Sequence, residues 1–235
     1  MRRNYKSLAR GLALAGFAHL LIAGCAPTGS AATSSGEAAP PAAGALATRA
    51  GELKDPDGST MVYLYHDLVH VPAPVDDWVE QDSRVKYAAP IDKAAQRTAV
   101  RAEIAGGLAA VQKIGVLHLS LNANLSDYDP SYGEFTVRAF APSSILTFSG
   151  LGEKVSLKYD NPRAAQTWKV PAADAQTMRD RISISGNIVA DATLRIIAAE
   201  PDSGGGLITV RIIDYQLRDE RGGQALTRIQ PASHP

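Results

Sequence analysis

One cysteine occurs in the 235 residues, at position 25. No disulfide can close within a single copy of the chain, so whatever forms here must be held by a buried core. Hydrophobic residues make up 45% of the sequence and charged residues 20%, the balance of a globular domain able to supply one. At this length there is room for one ordinary domain with appendages, or at most two small ones.

The residues before Cys25 are a different kind of sequence. Residues 1–10 hold Arg2, Arg3, Lys6 and Arg10 with no acid, and 11–23 form a short apolar run. Thirteen residues rising about 1.5 Å each fall short of a hydrocarbon core of roughly 30 Å. The pattern is that of a signal peptide over 1–24. Its end, Leu21-Ile22-Ala23-Gly24-Cys25, resembles the lipobox of bacterial lipoproteins. The resemblance implies cleavage before Cys25, a diacylglycerol on its thiol and an acyl chain on the freed amine. One chain gives marginal membrane binding, whereas two or three give a stable anchor at roughly 0.8 kcal/mol per buried methylene. Ile22 stands where leucine is commoner, and His19 is unusual in an apolar run. Ala26 replaces the aspartate that marks inner-membrane retention in many enteric bacteria, so the resemblance implies an outer-membrane anchor facing the periplasm.

Removing the leader changes the charge. Four of the 24 basic residues and none of the 24 acidic ones precede Cys25, leaving 20 against 24 and no basic run. Nucleic-acid binding needs clustered Lys and Arg, so no nucleic-acid partner is expected, and electrostatic docking on anionic lipid is disfavoured for the same reason. The stretch 25–51 follows Cys25 with ten alanines, four glycines, Pro40-Pro41 and only Glu37 and Arg49 charged. It has too little apolar bulk to offset the entropy of ordering. As a flexible tether it would reach roughly 25–30 Å on average. The folded part is expected to be a single domain over 52–235.

Within that domain the patterning predicts an α+β fold with a mainly antiparallel sheet. Thr60 to Val71, rich in Val, Tyr and Leu, reads as a strand after the turn signal Asp55-Pro56-Asp57-Gly58. Asp76-Asp77-Trp78 reads as a short helical turn capped by an aspartate, with Trp78 as a buried anchor. The long helix is 91–113: Asp92 is its expected N-cap, and Val100, Ile104, Leu108 and Val111 fall on one face. Gly106-Gly107 within it implies a close approach to the sheet or a helix end. From Gly115 the period becomes two, with Leu117, Leu119, Leu121 and Ala123 on one face of a half-buried strand. Strands are expected at 134–141, 144–149, 154–159 and 166–170, then a short helix 171–181 opened by Pro171. Long strands at 182–199 and 207–219 and a last one at 224–230 complete the sheet, with Gly186-Asn187 expected to mark a bulge or bend. Both helices are expected to pack on this sheet.

The helix and leucine strand of 92–140, with Leu125-Ser-Asp-Tyr-Asp129, Gly133-Glu-Phe135 and the later Val170-Pro171-Ala-Ala-Asp174, resemble uncharacterised domain families of proteobacterial envelope proteins. That resemblance implies a fold and no activity.

His66-Asp67-Leu68-Val69-His70 is the most suggestive chemical motif. On a helix it would resemble the zinc-protease H-E-x-x-H, with Asp67 one methylene short as base. Read as a strand, it sets the two histidines about 13 Å apart, too far to share one zinc. Asp127 and Asp129 open a stretch like a calcium loop, yet an EF-hand needs Gly at position six and Glu at twelve, where this chain has Tyr132 and Arg138. The alternative is a connection whose aspartates bond their own backbone. His66, His70, Asp127 and Asp129 are thus weak metal candidates. No catalytic residue and no cofactor is expected: neither Ser149 nor Ser203 sits in a G-x-S-x-G elbow, and no P-loop run occurs. His118 reads as a solvated or hydrogen-bonded strand residue, and Trp78, Trp168 and Tyr215 as core. The function expected is that of a non-enzymatic envelope protein that binds a protein partner or supports an envelope assembly. The alternatives are a lipid- or glycan-binding module with a cavity under the sheet and, further off, a metal-dependent hydrolase.

Overall fold

The computed structural model describes residues 46–232 apart from Gly186, Gly204 and Gly222. The lipobox residues Leu21, Ile22, Ala23, Gly24 and Cys25 lie outside the described residues. The fold reaches further toward the N-terminus than residue 52: Leu46 is buried at 1% exposure, and strand β1, Gly51–Lys54, starts just after it.

Helix α1, Gly58–Val69, replaces the strand expected at 60–71. Asp57 caps it, its carboxylate accepting from Thr60 N–H at 2.7 Å, so the Asp-Pro-Asp-Gly signal is a helix start and not a hairpin turn. Seven of its twelve residues are buried, Met61, Val62, Leu64, Tyr65, His66, Leu68 and Val69. Its less-buried positions, Thr60, Tyr63 and Asp67, form only a narrow stripe, and the Val, Tyr and Leu around them are residues common in strands. It ends at His70, whose φ of 55° is left-handed, and Pro72 follows two residues on.

Two short helices come next, α2 (Val75–Gln81) and α3 (Ser83–Lys86). Asp76 and Asp77 lie in the first turn of α2 and not at its cap, which is Pro74; there they face the positive end of the helix dipole. Trp78 is buried at 2% exposure, as expected. Helix α4, Lys93–Ala110, has Val100 and Ile104 buried, Val111 buried just beyond its end and Leu108 packed against the core. Asp92 precedes it without a side-chain cap bond. It packs chiefly on α1, α2 and α3. Helix α1 lies between it and the sheet, resting on four strands. Gly107 is where α4 comes close: a Cβ there would stand 2.3 Å from the Tyr63 ring of α1.

The remaining elements are β2 (Ile114–Asn122), β3 (Glu134–Thr136), a 3-10 turn at Arg138–Phe140, β4 (Ile145–Gly150), β5 (Glu153–Tyr159), α5 (Pro162–Ala165), β6 (Thr167–Lys169), α6 (Ala172–Ser185), β7 (Ile188–Asp202), β8 (Gly205–Asp219) and β9 (Ala225–Ile229). The strand expected from 182 is still helix there: Met178 and Ile182, one turn apart, pack on the core. The strand expected over 134–141 stops at Thr136 and becomes the 3-10 turn. The β7–β8 register shifts at two places, with Ile213 of β8 and Ile197 of β7 as the extra residues; Gly186 of the expected Gly186-Asn187 bulge or bend lies outside the described residues, and β7 begins just after Asn187.

Seven strands form one mixed sheet in the order β1-β2-β7-β8-β5-β4, with β9 also on β8. The pairs β1–β2 and β5–β8 are parallel, and β2–β7, β7–β8, β4–β5 and β8–β9 antiparallel. The fold is therefore α+β with a mainly antiparallel sheet. Three strands separate β2 from β4 in that order, yet Leu119–Leu121 and Leu146–Phe148 line one cleft. The sheet curls around α1, and Gly206 of β8 permits the contact: a Cβ there would meet the Tyr65 ring at 2.5 Å. A separate ribbon pairs β3 with β6, setting Phe135 opposite Trp168 with rings 5.1 Å apart.

Candidate functional site

The helical geometry of α1 puts His66 and His70 to different uses. His66 is 8% exposed. Its Nε2 lies 3.1 Å from Glu153 Oε2 and its Nδ1 3.3 Å from the Val71 carbonyl. Both partners accept, so the contacts are complete when the ring carries two N–H groups or when Glu153 holds the proton. The other Glu153 oxygen takes the Trp78 indole N–H at 3.0 Å, and the His66 and Trp78 rings meet edge to face at 5.2 Å. His70, exposed, is the left-handed residue that ends the helix. Asp67 pairs with Arg49 at 2.5 Å. This cluster joins α1, α2 and the β4–β5 turn.

Asp129 organises its own loop. Its Oδ1 accepts from Ser131 N–H at 2.8 Å and Tyr132 N–H at 3.4 Å, and Gly133, at φ 66°, donates to its carbonyl. Asp127 is exposed, and Ser126 donates to its carbonyl oxygen. Among the described residues no three His, Cys, Asp or Glu side chains are grouped to hold a metal ion. His118 pairs with Glu52 at 3.2 Å. Tyr215 donates its hydroxyl to the Ala165 carbonyl at 2.6 Å and is core, as is Trp168.

The residues that sequence reasoning passed over lie on the outer face of the sheet. A hollow of about 780 Å³ opens there, lined by residues of β1, β2, β7, β8 and β9. Each of its acids is already engaged. Asp191 of β7 accepts from Arg218 of β8 and from Ser120 of β2, Asp214 accepts from Arg228 at 3.0 Å, and Asp55 accepts from Ser120 N–H at 2.8 Å. Burial alone would push the Asp191 carboxyl up, but the bonds from Arg218 and Ser120 outweigh it and hold it below the usual range. Thr193 and Gln216 lie among these pairs. The signal for this face was present: Asp191-x-Thr193-x-Arg195 and Asp214-x-Gln216-x-Arg218 repeat polar residues at the strand period, placing them on one side. The opposite side, under the sheet, is filled by α1.

Compared with models of known families, with curated proteins and with solved structures, the chain matches none.

Proposed function

We propose that the chain is a lipoprotein, anchored in the outer membrane through Cys25, whose domain serves the periplasm as an interaction module rather than as an enzyme. The anchor rests on the lipobox Leu21–Cys25 and the charged, apolar leader before it. About twenty residues separate Cys25 from Leu46, where the described fold begins. The interaction reading is carried by the outer sheet face, a wide polar hollow whose acids are each held by a cation or a backbone N–H. Such groups present a fixed charge pattern that suits recognition of a partner surface.

A second reading has one observation behind it. Ser120, Thr193 and Gln216 put hydroxyls and an amide into the same hollow, the group types that hold a polar ligand such as a glycan. A lipid would find no apolar wall there.

Labelling cells with radioactive palmitate tests the anchor: incorporation is expected in the native chain and not in Cys25→Ser, and labelling of that variant would refute it. Native mass spectrometry of protein released gently from the envelope tests the rest. A bare monomer mass, with partner crosslinks to a photoreactive residue at Gln216, is the expected result. A stoichiometric small-molecule adduct lost on Gln216→Ala would turn the reading to the polar ligand.

A further inference from the structure

Strand β1 leaves the sheet early. It pairs with β2 only as far as Lys54 opposite His118. Asp55 then takes a left-handed backbone, φ 41°, and Pro56 has no N–H to offer. Asp55 fills the next rung with its own atoms, its N–H donating to the His118 carbonyl and its Oδ1 accepting from Ser120 N–H, both at 2.8 Å. Beyond that rung the outer edge of β2 has no strand beside it among the described residues. Ala123 N–H donates to Ile188 on the β7 side. By the antiparallel alternation Leu121 and Leu119 also face β7, while the Ser120 carbonyl and the backbone groups of Asn122 point outward.

The matching edge belongs to β4. Among the described residues it pairs with β5 alone, through the two-residue turn Leu151-Gly152, both at positive φ. The turn closes on Gly150 and Glu153, so Gly150, Phe148 and Leu146 bond β5 and Thr147 directs its N–H and C=O away. The two edges face each other across one cleft of about 320 Å³, between Leu119–Leu121 and Leu146–Phe148. It runs on past Asn122 and Ile145 to Arg138 as a second cleft of about 690 Å³. Its floor is apolar: Leu121, Leu146 and Phe148 pack on the core from partly exposed positions, while Ile145, on the outer face of β4 by the strand alternation, is 58% exposed at the rim. Free edges are usually blunted by charge, proline or a bulge. Ile145–Gly150 carries none of these.

We propose that this seam receives an extended segment of a partner protein, added as a strand between β2 and β4. An extended backbone answers both edges at once, because it carries N–H and C=O groups on both sides at strand spacing. Its alternate side chains meet the apolar floor, so the segment alternates apolar and polar residues. The unpaired stretch of β2, from the Ser120 carbonyl to Asn122, accommodates about three residues, roughly 10 Å. Arg138 lines the far end, so the segment carries an acidic side chain or a free carboxylate there.

The inference rests on the reading of the domain as an interaction module, and one experiment separates the two. A photoreactive residue is placed in the full-length chain, in cells, at Asn122, at Thr147 or, on the polar face, at Gln216. The expected result is that Asn122 and Thr147 crosslink to the same short segment of one partner. Thr147→Pro removes only an outward N–H, and Ile145→Glu changes an exposed side chain, so both leave the fold intact. Each reduces the Asn122 crosslink at least tenfold, while Thr147→Val keeps it. Crosslinks within the chain, to a second copy, or unchanged by both variants overturn the seam. Crosslinks from Gln216 alone overturn the seam and keep the interaction module, and none from any position removes both.

Discussion

The Nε2 of His66 lies 3.1 Å from Glu153 Oε2, and the other oxygen of that carboxylate holds the Trp78 indole N–H at 3.0 Å. One side chain at the start of β5 thus ties α1 and α2 to the β4–β5 turn. Glu153→Ala leaves two buried nitrogen groups without a partner, each at about 1–3 kcal/mol. Glu153 is itself 29% exposed, so water takes up part of this and a total of about 2–4 kcal/mol is expected. Urea unfolding checks it as a lower midpoint at unchanged slope. Glu153→Gln keeps an acceptor for Trp78 and an amide that can donate to an unprotonated Nε2, and loses less than half as much. Equal losses in the two variants would refute this account.

Gly106 and Gly107 are neighbours with opposite expectations. A Cβ on Gly106 meets nothing within 4 Å, so Gly106→Ala stabilises by about 0.5–1 kcal/mol through helix propensity. A Cβ on Gly107 meets the Tyr63 ring at 2.3 Å, and overpacking of this kind costs about 1–3 kcal/mol. Thermal unfolding is expected to move up for the first variant and down for the second. A rise for both would mean that Tyr63 moves aside freely.

Asn161 closes a gap in the sheet. One edge of β8 pairs with β5 as far as Val210 and with β9 from Tyr215, and between them Asn161 donates to the Ile212 carbonyl and accepts from its N–H, both at 2.9 Å. Asn161→Ala removes both bonds from a part-buried strand, a loss of about 1–3 kcal/mol. Amide exchange at Ile212 is expected to quicken more than exchange at Ile208, whose neighbours on the sheet are unchanged.

Two carboxylates set part of the acid limb. The Thr60 N–H at the start of α1 holds Asp57 below the usual carboxylate range. Asp191 is held there too, its bonds to Arg218 and Ser120 outweighing burial. A depressed folded value adds stability that is present above about pH 4 and is lost as the pH falls through it. Asp57→Ala costs about 1 kcal/mol at pH 7 as a lost N-cap. Its deficit, and that of Asp191→Asn, shrinks as the pH falls from about 4. Unfolding free energies measured across that range would contradict this if either deficit stayed constant.

The stripe of Val100, Ile104, Leu108 and Val111 and the alternation of Leu117, Leu119 and Leu121 were legible because each element has one face on the core and one on water, so its period shows in the residue types. The polar outer face was legible in the same way, at Asp191, Thr193, Gln216 and Arg218, though the chemistry drew the eye to His66 and His70 instead. The run Leu21–Cys25, on which the proposed anchor rests, is likewise a pattern of consecutive residues.

Helix α1 was not legible. Packed between sheet and α4, it is apolar around most of its surface, and its Val, Tyr and Leu content masks the narrow stripe of Thr60, Tyr63 and Asp67. Its glycine contacts, the role of Glu153 and the pairing of β1 with β2 each join residues more than forty positions apart. By itself the sequence determined the class of fold and the faces of its half-buried elements, and it carries the pattern behind the proposed leader and anchor. Only the tertiary structure decided which strands are neighbours, that α1 fills the space beneath them, and which edges have no strand beside them among the described residues, because long-range pairing leaves no local pattern in the chain.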